Sequence, residues 1–325
     1  MERKMTDILK TKCDLLTDNY ASMSKDNSWS SSYIILAAAG EYMAHDAMFD
    51  KQRMDSSRSI IKSGAGIFSD FRGMTEYIIR ARMSLSDDPQ EYFDRMRKIY
   101  EILRPGIFGS EFGILASMII LGGVAPLADE ETAERTRTIF KAMNQKHRIL
   151  TAENDMPFAA LMAVSGKDIE VLIERSENAF SYLKGRLKVS SDTIQTLANV
   201  ISVSKRDVVQ LCDRIIRIHE ILRTSRHSLG RGEASMILAS LADNDIDENE
   251  LAEMVIEAEK YLELSHPFKG FFGLGKEQCR LFASMCVANA VNEGESVGVE
   301  SVVSASVQIS AAISLLMVCL IVASN

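Results

Sequence analysis

Residues 208–222 read Val208-Val209-Gln210-Leu211-Cys212-Asp213-Arg214-Ile215-Ile216-Arg217-Ile218-His219-Glu220-Ile221-Leu222. Val208, Leu211, Ile215, Ile218 and Leu222 recur every three or four residues, the period of one helix face, while Arg214, Arg217 and Glu220 turn away from it. The stretch therefore predicts an amphipathic helix with one buried face. It also has counterparts on both sides. Leu103, Met143, Leu183, Leu222 and Leu262 each close such a stretch and stand 40, 40, 39 and 40 residues apart. Unrelated helices have no reason to keep that register, so the chain reads as a structural repeat.

Each long stretch is followed by a shorter, more uniformly apolar one carrying a large residue and then small ones: Leu115-Ala116-Ser117, Phe158-Ala159-Ala160, Leu197-Ala198-Asn199, Leu238-Ala239-Ser240 and Phe282-Ala283-Ser284. Small side chains there let neighbouring helices approach closely. Short breaks at Arg104-Pro105-Gly106, Gly122-Gly123, Ser165-Gly166 and Gly230-Arg231-Gly232 imply antiparallel helix pairs. Asp88-Pro89 and Asp247 with Glu250 carry helix-start chemistry, an acceptor side chain before the first turn. Tyr33–Ala39 and Tyr77–Met83 resemble the short apolar helix, although the first 70 residues repeat less regularly.

The expected fold is all-α: stacked antiparallel helix pairs with a period of about forty residues, the length of HEAT-like repeats. The stack is either an open α-solenoid or a closed αα-toroid, and spacing alone does not choose. The domain organisation expected is a helical-repeat domain over residues 1–297 followed by an apolar C-terminal helix over 298–325.

Composition agrees with a folded helical chain. Of 325 residues, 46% are hydrophobic and 25% charged, and only 5 are proline, which leaves long helices uninterrupted. The net charge of −8 disfavours nucleic acid as a partner. Cys13, Cys212, Cys279, Cys286 and Cys319 are odd in number and scattered through helical patterns, which fits reduced thiols and a cytoplasmic setting. The opening residues lack the apolar run of a secretory signal.

Candidate chemistry is sparse. Gly270-Phe271-Phe272-Gly273-Leu274-Gly275-Lys276 approaches a phosphate-binding loop, but Glu277 stands where Ser or Thr would hold magnesium and no strand precedes it. Asp243, Asp245 and Asp247 begin like a calcium loop, which Glu248 and Met254 then break. None of His45, His147, His219, His227 and His266 pairs at the four-residue spacing that puts two zinc ligands on one helix face. These patterns point to no cofactor, no metal and no catalytic residue. A basic stretch, Arg214, Arg217, Arg223, Arg226, His227 and Arg231, contrasts with the acidic whole. Part of it complements the negative end of a helix dipole. Arg223, Arg226, His227 and Arg231 are the candidate contacts for an acidic protein or peptide partner.

Val302–Ala323 is 22 residues without a charge, long enough to span a bilayer of roughly 30 Å as a helix. Glu293, Glu295 and Glu300 precede it and no Lys or Arg flanks it, which favours a buried or interface-forming helix over a tail anchor. Membrane attachment and oligomer formation both remain open.

Lys146-His147-Arg148-Ile149-Leu150-Thr151, followed by Asn154-Asp155 and the apolar run Phe158–Val164, resembles a family of helical bacterial proteins, domain of unknown function four-thousand-and-three. The likeness covers roughly residues 74–291 and extends to the alanine-rich apolar tail. It implies a bacterial cytoplasmic context and transfers no activity, cofactor or site residue. A non-enzymatic scaffold is the first expectation for function. An αα-toroid enzyme or small-molecule binder and a membrane-tethered adaptor are the alternatives.

Overall fold

The computed structural model describes residues 6–27, 30–66, 69–73, 75–104, 111–122, 127–146, 153–270 and 273–296. Within them the chain is all-α. Fourteen α-helices follow in order: α1 (Asp7–Asp26), α2 (Ser32–Ala44), α3 (Lys51–Gly64), α4 (Glu76–Leu85), α5 (Pro89–Leu103), α6 (Glu111–Gly122), α7 (Asp129–Lys146), α8 (Met156–Val164), α9 (Ile169–Leu183), α10 (Ser191–Val203), α11 (Val208–Thr224), α12 (Leu238–Ala242), α13 (Glu248–Leu262) and α14 (Lys276–Ser296). A 3₁₀ turn, Glu233–Ile237, leads into α12.

Odd- and even-numbered helices differ as the sequence implies. On α11 the stripe Val208, Leu211, Ile215, Ile218 and Leu222 is buried, and Arg217 and Glu220 are exposed. On α8 every residue is buried. The odd helices thus cover the even ones, which form an inner layer. Large side chains sealed in this core include Tyr42, Phe93, Phe158 and Phe282, and each contributes about 1.5–3 kcal/mol by leaving water.

Five of the seven odd helices start with the same device. Asp50, Asp88, Asp168, Asp207 and Asp247 each precede an odd helix, and each carboxylate accepts a hydrogen bond from a first-turn amide. The inner helices end on another. Arg135, Arg175 and Arg214 stand eight residues before Met143, Leu183 and Leu222, and reach the backbone where the next inner helix finishes. Arg175 donates from Nε to the Ser202 carbonyl at 3.0 Å, and from Nη2 to the carbonyls of Ser204 at 2.9 Å and Arg206 at 2.8 Å. Arg214 donates to the Ala242 carbonyl at 3.1 Å and the Ile246 carbonyl at 2.7 Å. These guanidiniums satisfy carbonyls that have no partner within their own helix. Arg214, grouped with the basic stretch on sequence, is therefore a structural residue.

The two ends of the array meet. In the outer layer α13 packs on α1, and the Tyr261 hydroxyl donates to Asp14 at 2.6 Å. α14 also packs on α1, and its Cys286 Sγ lies 3.6 Å from Met43 Sδ on α2. Between these contacts each hairpin packs on the next, so the described helices form a ring of seven hairpins. The closed alternative left open by spacing is the one observed. The second hairpin departs from the pattern in one respect: Lys51, at the start of α3, is ion-paired with Asp26 at the end of α1.

Because consecutive helices are antiparallel, the even helices all begin on one face of the ring. From α3 onward the connections entering them are longer than those leaving them, such as Ser165–Asp168 and Ser204–Asp207. On α11, His219 is only 6% exposed, and burial lowers its pKa from the ordinary 6.5. The folded chain then binds fewer protons at this site than the unfolded one, so its contribution to stability is complete above pH 6.5 and declines as pH falls through the lowered folded value. Urea midpoints measured between pH 8 and 5 should fall with acidity, and His219→Gln should flatten that slope.

Candidate functional site

The long-connection face carries a polar cavity of about 490 Å³ where the end of α1, the start of α2, the first turns of α3 and the start of α4 converge. Ser31 caps α2 by accepting from the Ile34 amide, whereas Thr75 gives α4 no side-chain cap and the Glu76 amide donates to the Gly73 carbonyl at 3.2 Å. Lys51, Arg58 and Arg80 line the cavity together with Asp26, Asp55 and Glu76.

These charges are unevenly committed. Lys51 pairs with Asp26 and, at 3.0 Å, with Asp55, and the hydrogen bond to Asp26 raises its pKa. Arg80 is buried; it donates from Nε to the Met54 carbonyl at 3.3 Å and lies 3.6 Å from Asp55. Burial lowers its pKa, and the Arg58 charge nearby lowers it further. Arg58 is exposed and has no carboxylate partner among the described residues.

Tyr77 completes the wall. Its ring lies under the Arg80 guanidinium, 5.1 Å from centroid to Cζ. The residue is 4% exposed, and its buried hydroxyl has no hydrogen-bond partner among the described residues, nor does the Thr75 hydroxyl. Burial pushes the Tyr77 phenol well above its ordinary pKa, so it stays a neutral donor. An orphaned buried hydroxyl costs about 1–3 kcal/mol, which a ligand oxygen would recover. The arrangement offers two guanidiniums and a phenol donor to one small polar molecule.

The residues singled out in the basic stretch part company. Arg223 pairs with Glu220 on its own helix. His227 Nδ1 lies 2.5 Å from Glu259 Oε2, and Arg280 donates from Nε to Glu259 Oε1 at 2.8 Å. Arg280 also donates to the Ser228 carbonyl at 2.8 Å and the Arg226 carbonyl at 3.3 Å, which fixes the loop to α14. Arg231 is exposed, and its carbonyl accepts from the Ser190 amide at 2.9 Å. Of the four, Arg226 and Arg231 are exposed and make no ion pair among the described residues.

The other motifs take structural places. Asp243 and Asp245 face Arg206, at 3.2 and 2.7 Å, and Asp247 caps α13. In the glycine-rich run residues 271–272 lie outside the described set; beside them the Leu274 amide donates to the Pro267 carbonyl at 2.9 Å. No three His, Cys, Asp or Glu side chains gather as a metal site among the described residues. His147 and residues 302–323 lie outside that set, within which no helix is long and apolar enough to cross a membrane.

Sequence reasoning missed the cavity because its residues are spread from Asp26 to Arg80 with no fixed spacing. One signal was available. Arg80 interrupts Tyr77-Ile78-Ile79-Arg80-Ala81, in a helix of the apolar class, and a charge there needs a reason.

A family model described as Protein of unknown function (DUF4003) matches residues 19–315. Among curated proteins, the Uncharacterized protein YeaA of Bacillus subtilis (strain 168) is 20% identical over 213 residues, which is 63% of this chain and 64% of that protein. The aligned part thus spans less than two thirds of that relative. No solved structure matches.

Proposed function

The chain belongs to the family Protein of unknown function (DUF4003), and we propose that it binds a small polar molecule carrying a carboxylate or phosphate in the cavity between α1 and α4. The observation that supports this reading is the buried, unpartnered Tyr77 hydroxyl beside Arg58 and Arg80. A carboxylate or phosphate would accept from both guanidiniums in the geometry that suits a planar fork. The three carboxylates of the lining favour a ligand that also carries a cationic or hydroxyl group. The volume fits a small molecule rather than a folded partner. The buried free thiols Cys13, Cys212, Cys279 and Cys286 favour a reducing, cytoplasmic setting for this activity.

Thermal-shift screening of carboxylate- and phosphate-bearing small molecules, followed by calorimetry on any hit, tests the reading. Arg58→Ala should weaken binding about tenfold or more, equivalent to about 1.4 kcal/mol, with the ligand-free melting temperature nearly unchanged because Arg58 is exposed. A hit that binds Arg58→Ala and Tyr77→Phe as tightly as the native chain would place binding elsewhere.

A second reading, a scaffold for an acidic protein or peptide, is favoured by the exposed Arg226 and Arg231 on a loop anchored through Arg280 and Glu259. Charge reversal at both positions would then abolish a stoichiometric partner in pull-down while leaving small-molecule binding intact.

A further inference from the structure

The charges that line the α1–α4 cavity sum to zero. Lys51, Arg58 and Arg80 are balanced there by Asp26, Asp55 and Glu76, in a chain whose net charge is −8. A balanced lining selects no ligand if its charges all neutralise one another. Four of these six do. Lys51 bridges Asp26 and Asp55, and Arg80 lies 3.6 Å from Asp55. Two cations thus meet two carboxylates, and that group is closed.

Arg58 and Glu76 are left over. Arg58, on α3, is exposed, and Glu76, at the start of α4, is half-buried. Neither side chain makes an ion pair or a hydrogen bond among the described residues, with the other or with any third group. One uncommitted positive group and one uncommitted negative group therefore border the same space. That is the complement of a dipolar molecule. A simple anion would be drawn to the guanidiniums but would bring its charge beside Glu76 and Asp55, and a simple cation would meet Arg58 and Arg80. Either leaves half of the pair unanswered, which works against binding. A molecule with a carboxylate and an ammonium answers both through charge-assisted hydrogen bonds.

The rest of the wall sets what else the ligand carries. Asn27, Ser30 and Ser31 make it polar, and Ile34 is the one aliphatic side chain of the described lining. The Asn27 side chain donates to the Ser30 hydroxyl at 2.6 Å, which leaves its carbonyl oxygen as an acceptor. The cavity volume of about 490 Å³ accommodates a side chain beyond the two charged groups.

Resting on the reading that this cavity is the ligand site, we propose that its ligand is a free α-amino acid with a polar side chain. Arg58, beside Arg80 and Tyr77, holds the carboxylate, and Glu76 holds the ammonium. Blocking either end of the amino acid removes one of the two charges that the site answers.

Isothermal titration calorimetry of the full-length chain tests this against the common polar α-amino acids, their N-acetyl derivatives and their α-carboxamides. At least one free amino acid should bind, and acetylation or amidation should each weaken it about tenfold or more, the effect of losing one charge-assisted hydrogen bond. Glu76→Gln keeps the shape of the side chain. It should weaken the free amino acid by a similar factor and leave the N-acetyl derivative unaffected, whereas Arg58→Ala should weaken the free amino acid and spare the carboxamide. Equal affinity for free and N-acetylated forms, or full affinity of the free amino acid for Glu76→Gln, would overturn the proposal. Succinate and inorganic phosphate separate this failure from that of the cavity reading. If either binds in an Arg58-dependent manner and no amino acid does, the cavity is a site for simple anions and only the present inference falls; if neither they nor any amino acid binds, both fall.

Discussion

Glu259→Ala is expected to destabilise the protein by about 3–5 kcal/mol, the largest effect among the polar substitutions considered. Glu259 is 2% exposed, and its two carboxylate oxygens hold Arg280 and His227. Removing it strands the Arg280 guanidinium in a site with little water, which costs more than the ion pair itself gains. Glu259→Gln keeps the shape and part of the hydrogen bonding, so it should cost less. The double variant Glu259→Leu/Arg280→Met should recover part of the loss, because no charge is then left buried alone. Urea unfolding of the three variants measures these differences. A loss under about 1 kcal/mol for Glu259→Ala would mean that Arg280 finds water in the folded state.

Arg175→Ala should cost about 2–3 kcal/mol, since hydrogen bonds from charged groups each contribute roughly 1.5–3 kcal/mol and water replaces only some of them. The guanidinium reaches the carbonyls of Ser202, Ser204 and Arg206, gathering the end of α10 and its following turn. Arg175→Lys should recover little, because a single ammonium cannot spread across three acceptors as a planar fork does. Denaturant midpoints of both variants check this. Full stability in Arg175→Lys would show that charge alone, without the fork, closes the helix end.

These two residues show how unevenly the molecule is written in its sequence. Arg175 belongs to a series, Arg135, Arg175 and Arg214, that keeps the period of the apolar register. It was legible as a repeat position, but its capping role was not, since that needs the next helix to end beside it. Glu259 breaks its series: it stands where Tyr100, Phe140, Phe180 and His219 stand in other repeats. A buried carboxylate there makes sense only once Arg280 and the loop carrying His227 are in place. The basic stretch misleads for the same reason. Arg223 is taken up by Glu220, Arg214 by helix-end carbonyls and His227 by Glu259, which leaves Arg226 and Arg231 exposed.

By itself the sequence determined the helical class, the alternation of long amphipathic and short apolar helices, and the forty-residue register from Leu103 to Leu262. Those follow from local periodicity, because a helix face repeats every three to four residues whatever it packs against. Only the tertiary structure decided that the array closes on itself and that Asp26, Arg58, Tyr77 and Arg80 share one cavity. Closure depends on small rotations between successive hairpins that sum around the ring, and no local pattern records that sum. The cavity exists because the first turns of α3 meet the starts of α2 and α4, a consequence of packing rather than of spacing.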